Sequence, residues 1–255
     1  MQLSLRQQQI MNVARQDGRV TVDGLVQSFD VTPQTIRKDL NSLCAGKLLV
    51  RAHGGAILAS GTENVQYEQR QALYSEEKKQ IGALCAAQIP DNSSLFINIG
   101  TTTEAVASAL LEHHNLMVVT NNLNVANILL QNTSFEIIIA GGVLRHRDRG
   151  ITGEATVDFI KQFKLDYAVI GTSALDEQGA LLDFDYREAR VTQTILSNAR
   201  ERFLVSDKGK LERTAPVRVG HVSQLTDVFM DECTSDELQV VCEQHNVTIH
   251  TPDKP

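Results

Sequence analysis

Val20–Leu43, VTVDGLVQSFDVTPQTIRKDLNSL, reads as two short helices joined by a tight turn. Thr21 is placed to cap the first, which runs through Leu25 and Val26 with Asp23 near its positive end. Phe29, Asp30 and Val31 end that helix. Thr32 is a second N-cap, and Pro33 supplies a pre-set φ at the first helical position. Beyond it, Ile36, Leu40 and Leu43 recur at i, i+4 and i+7 as one apolar stripe. At about 100° per residue, Gln34, Lys38 and Asn41 point away from that stripe, with Thr35 and Arg37 flanking them. Amides, hydroxyls and cations on one face are what base edges and phosphates require. The layout is a helix-turn-helix, whose second helix enters the major groove of DNA. The bland alternative is a solvated amphipathic helix in an ordinary bundle.

The flanks support the DNA-binding reading. Leu3 to Arg15 is a first helix, with Leu5, Ile10, Met11 and Val13 on its apolar side. After the second helix of the motif comes KLLVRAHGGAIL, Lys47 to Leu58. Leu48 to Arg51 has strand character, and Gly54-Gly55 is a hairpin signal. This predicts a wing, with Arg51 and His53 near the DNA backbone or minor groove. For His53 a neutral turn residue is an equal alternative.

The chain has 255 residues, enough for a small domain and a larger one with its own core. Its formal net charge is −7 and is unevenly spread. Residues 1–60 hold seven Lys/Arg against four Asp/Glu, so they carry +3 and the remainder carries −10. A basic head suits a phosphate backbone, and an acidic body limits nonspecific adhesion. One modest head implies more than one per DNA site, hence a homo-oligomer, dimer or tetramer, held by the acidic body. Cys44, Cys85, Cys233 and Cys242 form no CxxC pair, and the seven histidines show no metal-binding spacing. No metal or cofactor is expected, and idle thiols suit a reducing cytoplasm. No signal-peptide pattern and no membrane-length apolar run is present.

Ala59 to Asn64, ASGTEN, is small and polar and reads as the domain boundary. The predicted organisation is a DNA-binding domain over 1–58, a linker over 59–74 and a sensor domain over 75–255. Val65 to Gln88 looks helical, with Ser75-Glu76-Glu77 as a helix start. From Ser94 onward, apolar runs of strand length alternate with turns that open helices: SLFINI before GTTTEAVASALL, LMVVT before NNLNVANILL, LDYAVI before GTSAL, RFLVS before DKGK. Runs so apolar suit strands covered on both faces, and the alternation predicts a doubly wound, mostly parallel α/β domain.

In such sheets, ligands sit at the carboxyl ends of the strands. Gly100-Thr101-Thr102-Thr103 follows a strand and starts a helix, offering free N–H groups and hydroxyls to an anion. Thr120-Asn121-Asn122, Gly141-Gly142 and Gly171-Thr172-Ser173 fall at the same end, and Lys208 offers a cation. As a set these describe a pocket for a small phosphorylated metabolite; the GTTT turn alone is equally read as plain N-capping. Neither GxxxxGK[ST] nor GxGxxG is present, which disfavours an NTPase or a dehydrogenase. An isomerase would need a carboxylate base, and Asp176, Asp183, Asp185 and Glu188 are the candidates. The favoured reading is a solvated acidic loop plus a helix start; the alternatives are groups that bind ligand hydroxyls and, behind them, a catalytic base. No enzyme is expected.

QQQIMNVARQDGRVTVDGLVQSFDVTPQTIRKDLNSLCAGKLLVRAHGGA resembles the winged helix-turn-helix of the DeoR family, and IGTTTEAVA, VTNNLNVAN, GEATVDFI and LDFDYREAR resemble that family's sensor domain. The resemblance implies a fold similar to ribose-5-phosphate isomerase and CoA transferases. It also implies a repressor of glycerol catabolism that leaves double-stranded operator DNA when glycerol 3-phosphate, or another sugar phosphate, binds. Carried over, the phosphate loop falls on Gly100 to Thr103, the TNN segment on Thr120 to Asn122, the paired glycines on Gly141 and Gly142, and the late lysine on Lys208. Asn98 stands where the family usually has an acidic residue; an asparagine can still bond a hydroxyl but cannot act as a base.

Overall fold

The computed structural model describes residues 3–17, 19–46, 48–52, 54–58, 67–211 and 213–252. The ASGTEN segment and His53 lie outside these.

The head begins with α1 (Leu5–Asp17), β1 (Arg19–Thr21), α2 (Val22–Phe29) and α3 (Pro33–Ala45), and closes with β2 (Leu49–Ala52) and β3 (Gly55–Leu58). Thr21 caps α2 by accepting from the Gly24 amide at 3.1 Å. Asp30 ends α2 in the left-handed region, φ 50°, which turns the chain toward α3. Thr32 caps α3 by accepting from the Thr35 amide at 3.3 Å, with Pro33 opening the helix. Ile36, Leu40 and Leu43 are fully buried against Ile10, Ala14, Val20 and Leu25. On the same inner side Arg6 from α1 pairs with the buried Asp39 at 2.5 Å. This anchors α3 from behind and leaves its other face outward. β2 and β3 form the expected antiparallel wing about Gly54, φ 73°. β1 adds a third strand against β3, with Val20 opposite Ala56. Gly55 is required at that seam, because a Cβ there would lie 1.9 Å from the Val20 carbonyl oxygen.

α4 (Tyr67–Ala72) and α5 (Ser75–Ala86) follow, in the stretch expected to be helical but broken at Leu73-Tyr74. Tyr74, not Ser75, stands at the N-cap of α5, with φ 57° and ψ 38°. A non-glycine residue there carries a penalty of roughly 1–2 kcal/mol.

The larger domain continues with β4 (Ser94–Ile97), α6 (Thr101–Ala109), β5 (Met117–Thr120), α7 (Leu123–Leu129), β6 (Glu136–Ile139), β7 (Val143–Leu144), β8 (Ile151–Thr152), α8 (Glu154–Ile160) and β9 (Leu165–Ile170). It ends with β10 (Ala174–Leu175), β11 (Ala180–Asp183), α9 (Tyr186–Ser197), β12 (Ala199–Ser206), β13 (Val217–His221), β14 (Asp227–Met230), α10 (Asp236–Gln244) and β15 (Thr248–His250). Among the described residues the main sheet has seven strands, in the order β15-β14-β12-β9-β4-β5-β6, all parallel. Alternate side chains feed cores on opposite faces. Leu95 and Ile97 of β4 join Ile81, Val106 and Val125 under α5, α6 and α7, while Phe96 joins Val157, Ala189 and Leu238 under α8, α9 and α10. That is why these strands lack an apolar–polar alternation. Strand order reverses between β4 and β9, so the loops after these two neighbours diverge to opposite faces and open a crevice.

Candidate functional site

On the head, Thr32, Pro33, Gln34, Arg37, Lys38 and Asn41 are exposed together along α3, with Thr35 partly covered. None is consumed by the core, which takes the other helix face. Arg51 is also exposed on β2, and its guanidinium donates to the Gly55 carbonyl at 3.2 Å, which holds it beside the wing tip. His53 lies outside the described residues. The outward groups of α3 and the cation of the wing form one polar, basic surface.

In the larger domain, the crevice between β4 and β9 is lined by Gly100, Thr101 and Thr102 on one side and Gly171, Thr172 and Ser173 on the other. The first amides of α6 open into it, since within the helix the first donor to find a carbonyl is Glu104, bonded to Gly100. Arg70 from α4 and Lys210, in the short helix after β12, complete one end; Asp183 and Glu188 line the rest. Thr103 turns inward instead, its hydroxyl donating to the carbonyls of Asn98 and Gly100, each at 2.8 Å. The space open in the crevice is about 20 Å³, room for one or two waters.

The charge balance at the Arg70 end is unusual. Lys210 and Lys78 are both buried, and Arg70 and Arg213 act on them electrostatically, with Asp207 in opposition. Burial pushes the Lys210 ammonium down to about 7, Arg213, Arg70 and Lys78 add repulsion, and Asp207 offsets part of it. Burial likewise brings Lys78 down to about 8. Lys78 is fixed by donating to the carbonyls of Arg70 and Leu73, the latter at 2.6 Å. The Nε of Arg70 is buried without a partner. Asp148 partly balances Arg70, its Oδ2 lying 3.8 Å from Nη2, so the Nε is a donor left over at this end.

The other end is held by Arg145. Its guanidinium meets Asp148 at 2.6 Å, Asp185 at 3.0 Å and Glu188 at 2.5 Å. Burial opposes the charge on Arg145, but Glu188 and Asp148 outweigh it and keep it firmly protonated. Burial and the nearby Asp183 raise the Glu188 carboxyl to about 7, against the pull of Arg145. Asp183 accepts from the amides of Phe184 and Asp185 and from the Ser173 hydroxyl.

Two family models divide the chain. The DeoR-like helix-turn-helix domain matches residues 6–62, and the DeoR C terminal sensor domain matches residues 74–232. The chain belongs to the DeoR family. It is 47% identical to the glycerol-3-phosphate regulon repressor of Escherichia coli K12, over 98% of this chain and 99% of that protein. It is also 47% identical to the repressor of the same name from Haemophilus influenzae, over 96% of this chain and 95% of that one. With its helix-turn-helix, this DeoR-family chain is a DNA-binding transcriptional repressor. A solved ribose 5-phosphate isomerase A from Methanocaldococcus jannaschii aligns with 54% of this chain and 55% of its own at 12% identity, with a TM-score of 0.41.

The remaining expected effector residues of this DeoR-family chain lie apart from the crevice lining. Thr120 donates to the Ile97 carbonyl at 2.7 Å, and Asn121 donates to the Ile151 carbonyl at 2.9 Å. Asn122 caps α7 through the Asn124 amide and donates to Glu104. This buried segment pairs with backbone and side-chain groups under the loops, apart from the Asn121 Oδ1, which is buried without a partner. Gly142 presses against Thr156, where a Cβ would fall 2.1 Å from its hydroxyl; Gly141 is exposed. Lys208 is turned away: it pairs with Glu232 at 3.1 Å, while Lys210 enters the crevice. Asn98 is fully occupied, donating to Thr192 and accepting from the Ile99 amide, each at 2.7 Å. Asp176 caps its own turn at the Ala180 amide. Arg70, Arg145 and Lys210 were not singled out by sequence. Lys210 lies in the DKGK segment beside Lys208, and the arginine-rich loop Arg145–Arg149 is the signal that could have found Arg145. Among the described residues no helix is long and apolar enough to cross a membrane, and no cluster of three or more His, Cys, Asp or Glu is placed to hold a metal ion.

Proposed function

We propose that this chain represses genes of glycerol 3-phosphate catabolism and leaves operator DNA when glycerol 3-phosphate enters the crevice between β4 and β9. The observation that carries the reading is the presence of Arg70 and Lys210 in the crevice beside the first amides of α6, with Lys78 behind them acting on Lys210. A phosphate dianion neutralises these cations, with backbone N–H groups completing the seat. Asp183 and Glu188, acceptors at the opposite end, suit hydroxyl groups. The relatives at 47% identity carry that regulon in their names. Another sugar phosphate of similar size is the second reading, since the same loops would hold it. Isomerisation is disfavoured: Asn98 cannot take a proton, and Glu188 is bound to Arg145. The working form is a homo-oligomer, because paired heads on half-sites supply the affinity that a single recognition helix lacks.

The test is fluorescence anisotropy with full-length protein on a labelled fragment of its own upstream region at fixed salt. Glycerol 3-phosphate should release the fragment where free glycerol and inorganic phosphate do not. Tight binding indifferent to glycerol 3-phosphate but relieved by another sugar phosphate would replace the effector and keep the repressor.

A further inference from the structure

Between the crevice and the DNA head stands one tyrosine. Its hydroxyl accepts from Nη1 of Arg19 at 2.7 Å, and Arg19 opens β1, the strand that carries the wing strand β3. The ring of Tyr74 lies against the backbone of Gly209; a Cβ on that glycine would stand 2.7 Å from Cε2 and 3.1 Å from Cζ. Gly209 directly precedes Lys210, which lines the crevice. On its other side Tyr74 closes the turn after α4, the helix that carries Arg70 into the same crevice. Lys78 clamps that turn, its ammonium on the Arg70 and Leu73 carbonyls and its amide on the Tyr74 carbonyl at 2.9 Å. Both cations at the anion end are therefore one covalent step or one helical turn from the surfaces that hold this ring. The left-handed backbone of Tyr74 persists only while these contacts impose it.

We propose that Tyr74 couples the crevice to the DNA head: its hydroxyl holds Arg19 in the operator-binding arrangement, and an anion drawing in Lys210 and Arg70 displaces the ring and breaks that hold. The open space of about 20 Å³ is too small for a three-carbon phosphate ester, so entry requires the lining to move, and Arg70 and Lys210 are the lining on separate, short elements. The proposal rests on the crevice being the effector site. An effector acts on DNA affinity only through its differential binding to two arrangements, and the hydrogen bond between Arg19 and Tyr74 belongs to one of them.

The experiment uses the full chain, its operator fragment and glycerol 3-phosphate. In the wild type, saturating effector should weaken operator binding by a factor in the usual allosteric range of about 5–150. Tyr74→Phe keeps the ring against Gly209 and removes only the hydroxyl. Without effector it should already bind operator several-fold more weakly than wild type, and effector should then change that affinity by less than about twofold. Its affinity for glycerol 3-phosphate, from calorimetry without DNA, should be equal or tighter, because the arrangement that competes with binding is short of one hydrogen bond. Gly209→Ala, which keeps the hydroxyl on the ring but pushes the ring from its place, should shrink the factor in the same way. A Tyr74→Phe protein with the wild-type factor overturns the coupling role and leaves the effector site standing. Weakening of both operator and effector binding also overturns it, since that is general loosening. A wild type that binds operator and ignores glycerol 3-phosphate overturns the effector reading and this proposal together.

Discussion

Lys210 holds its proton weakly because burial and the neighbouring Arg213, Arg70 and Lys78 outweigh Asp207. With an ammonium brought down to about 7, roughly half of the free protein carries the charge at neutral pH. A phosphate dianion beside it favours the charged form, so binding above pH 7 takes up a proton. Affinity for glycerol 3-phosphate should therefore fall as pH rises through 7, by up to about tenfold per unit, with Lys78 adding to the fall above about 8. The ester itself is already a dianion over that range, its second pKa being near 6. Calorimetry at successive pH values reads this directly. Lys210→Met should bind about 10–100-fold more weakly at pH 7, the worth of a charged hydrogen bond, and should flatten the profile between 7 and 8. Glu188, which also titrates near 7, is common to both proteins, so their difference isolates the lysine. Affinity rising with pH in the wild type would remove Lys210 from the anion seat. At this scale sequence was least legible. Lys208 and Lys210 are indistinguishable in DKGK, yet in a one-turn helix residues two apart face different ways. Thr120 and Asn122 have the chemistry of ligand groups, but it is spent on a buried carbonyl, a helix cap and Glu104; Asn121 donates to the Ile151 carbonyl and keeps only its buried Oδ1 without a partner.

The recognition element was legible almost to the residue. Caps and turns act locally, so Thr21, Thr32 and Pro33 state where α2 and α3 begin without knowledge of the rest. β1 was not legible: three residues become a strand only because the wing offers them an edge. The break at Tyr74 was hidden too, since Val65 to Gln88 has continuous helical character and tertiary contacts impose the left-handed turn. Two predictions belong to these elements. Lys38 is exposed on the outer face of α3, so Lys38→Glu should abolish operator binding and leave glycerol 3-phosphate binding intact; loss of both in calorimetry and anisotropy would mean a folding defect. Gly55→Val should open the three-stranded sheet of the head, because its side chain would begin 1.9 Å from the Val20 carbonyl. Operator binding should then be lost and the head's hydrogen-exchange protection should fall, while effector binding by the sensor persists. Normal exchange in β1 and β3 would show that the seam can relax.

The parallel sheet was legible because strands covered on both faces announce themselves as apolar runs, and the reversal between β4 and β9 then dictates where a crevice opens. What no local pattern carries is the joining of that crevice to a head of opposite charge. Operator binding by the basic head should weaken steeply with salt. Removing one phosphate-binding cation lowers the slope by about one, so Lys38→Gln should show a shallower slope than wild type in anisotropy titrations. Effector binding, seated on buried cations, should be screened much less. That difference makes the coupling testable from the sensor side. If effector and operator favour opposite arrangements of one molecule, whatever factor glycerol 3-phosphate imposes on operator affinity, saturating operator must impose on glycerol 3-phosphate affinity. Calorimetric titration of effector into the protein–operator complex at low salt should return a dissociation constant raised by that factor. At salt high enough to dissociate the complex, the value should revert to that of the free protein. Equal effector affinity in both conditions would mean, by the same reciprocity, that glycerol 3-phosphate does not act on operator through this protein, that any release seen is an effect of added salt, and that the crevice transmits nothing.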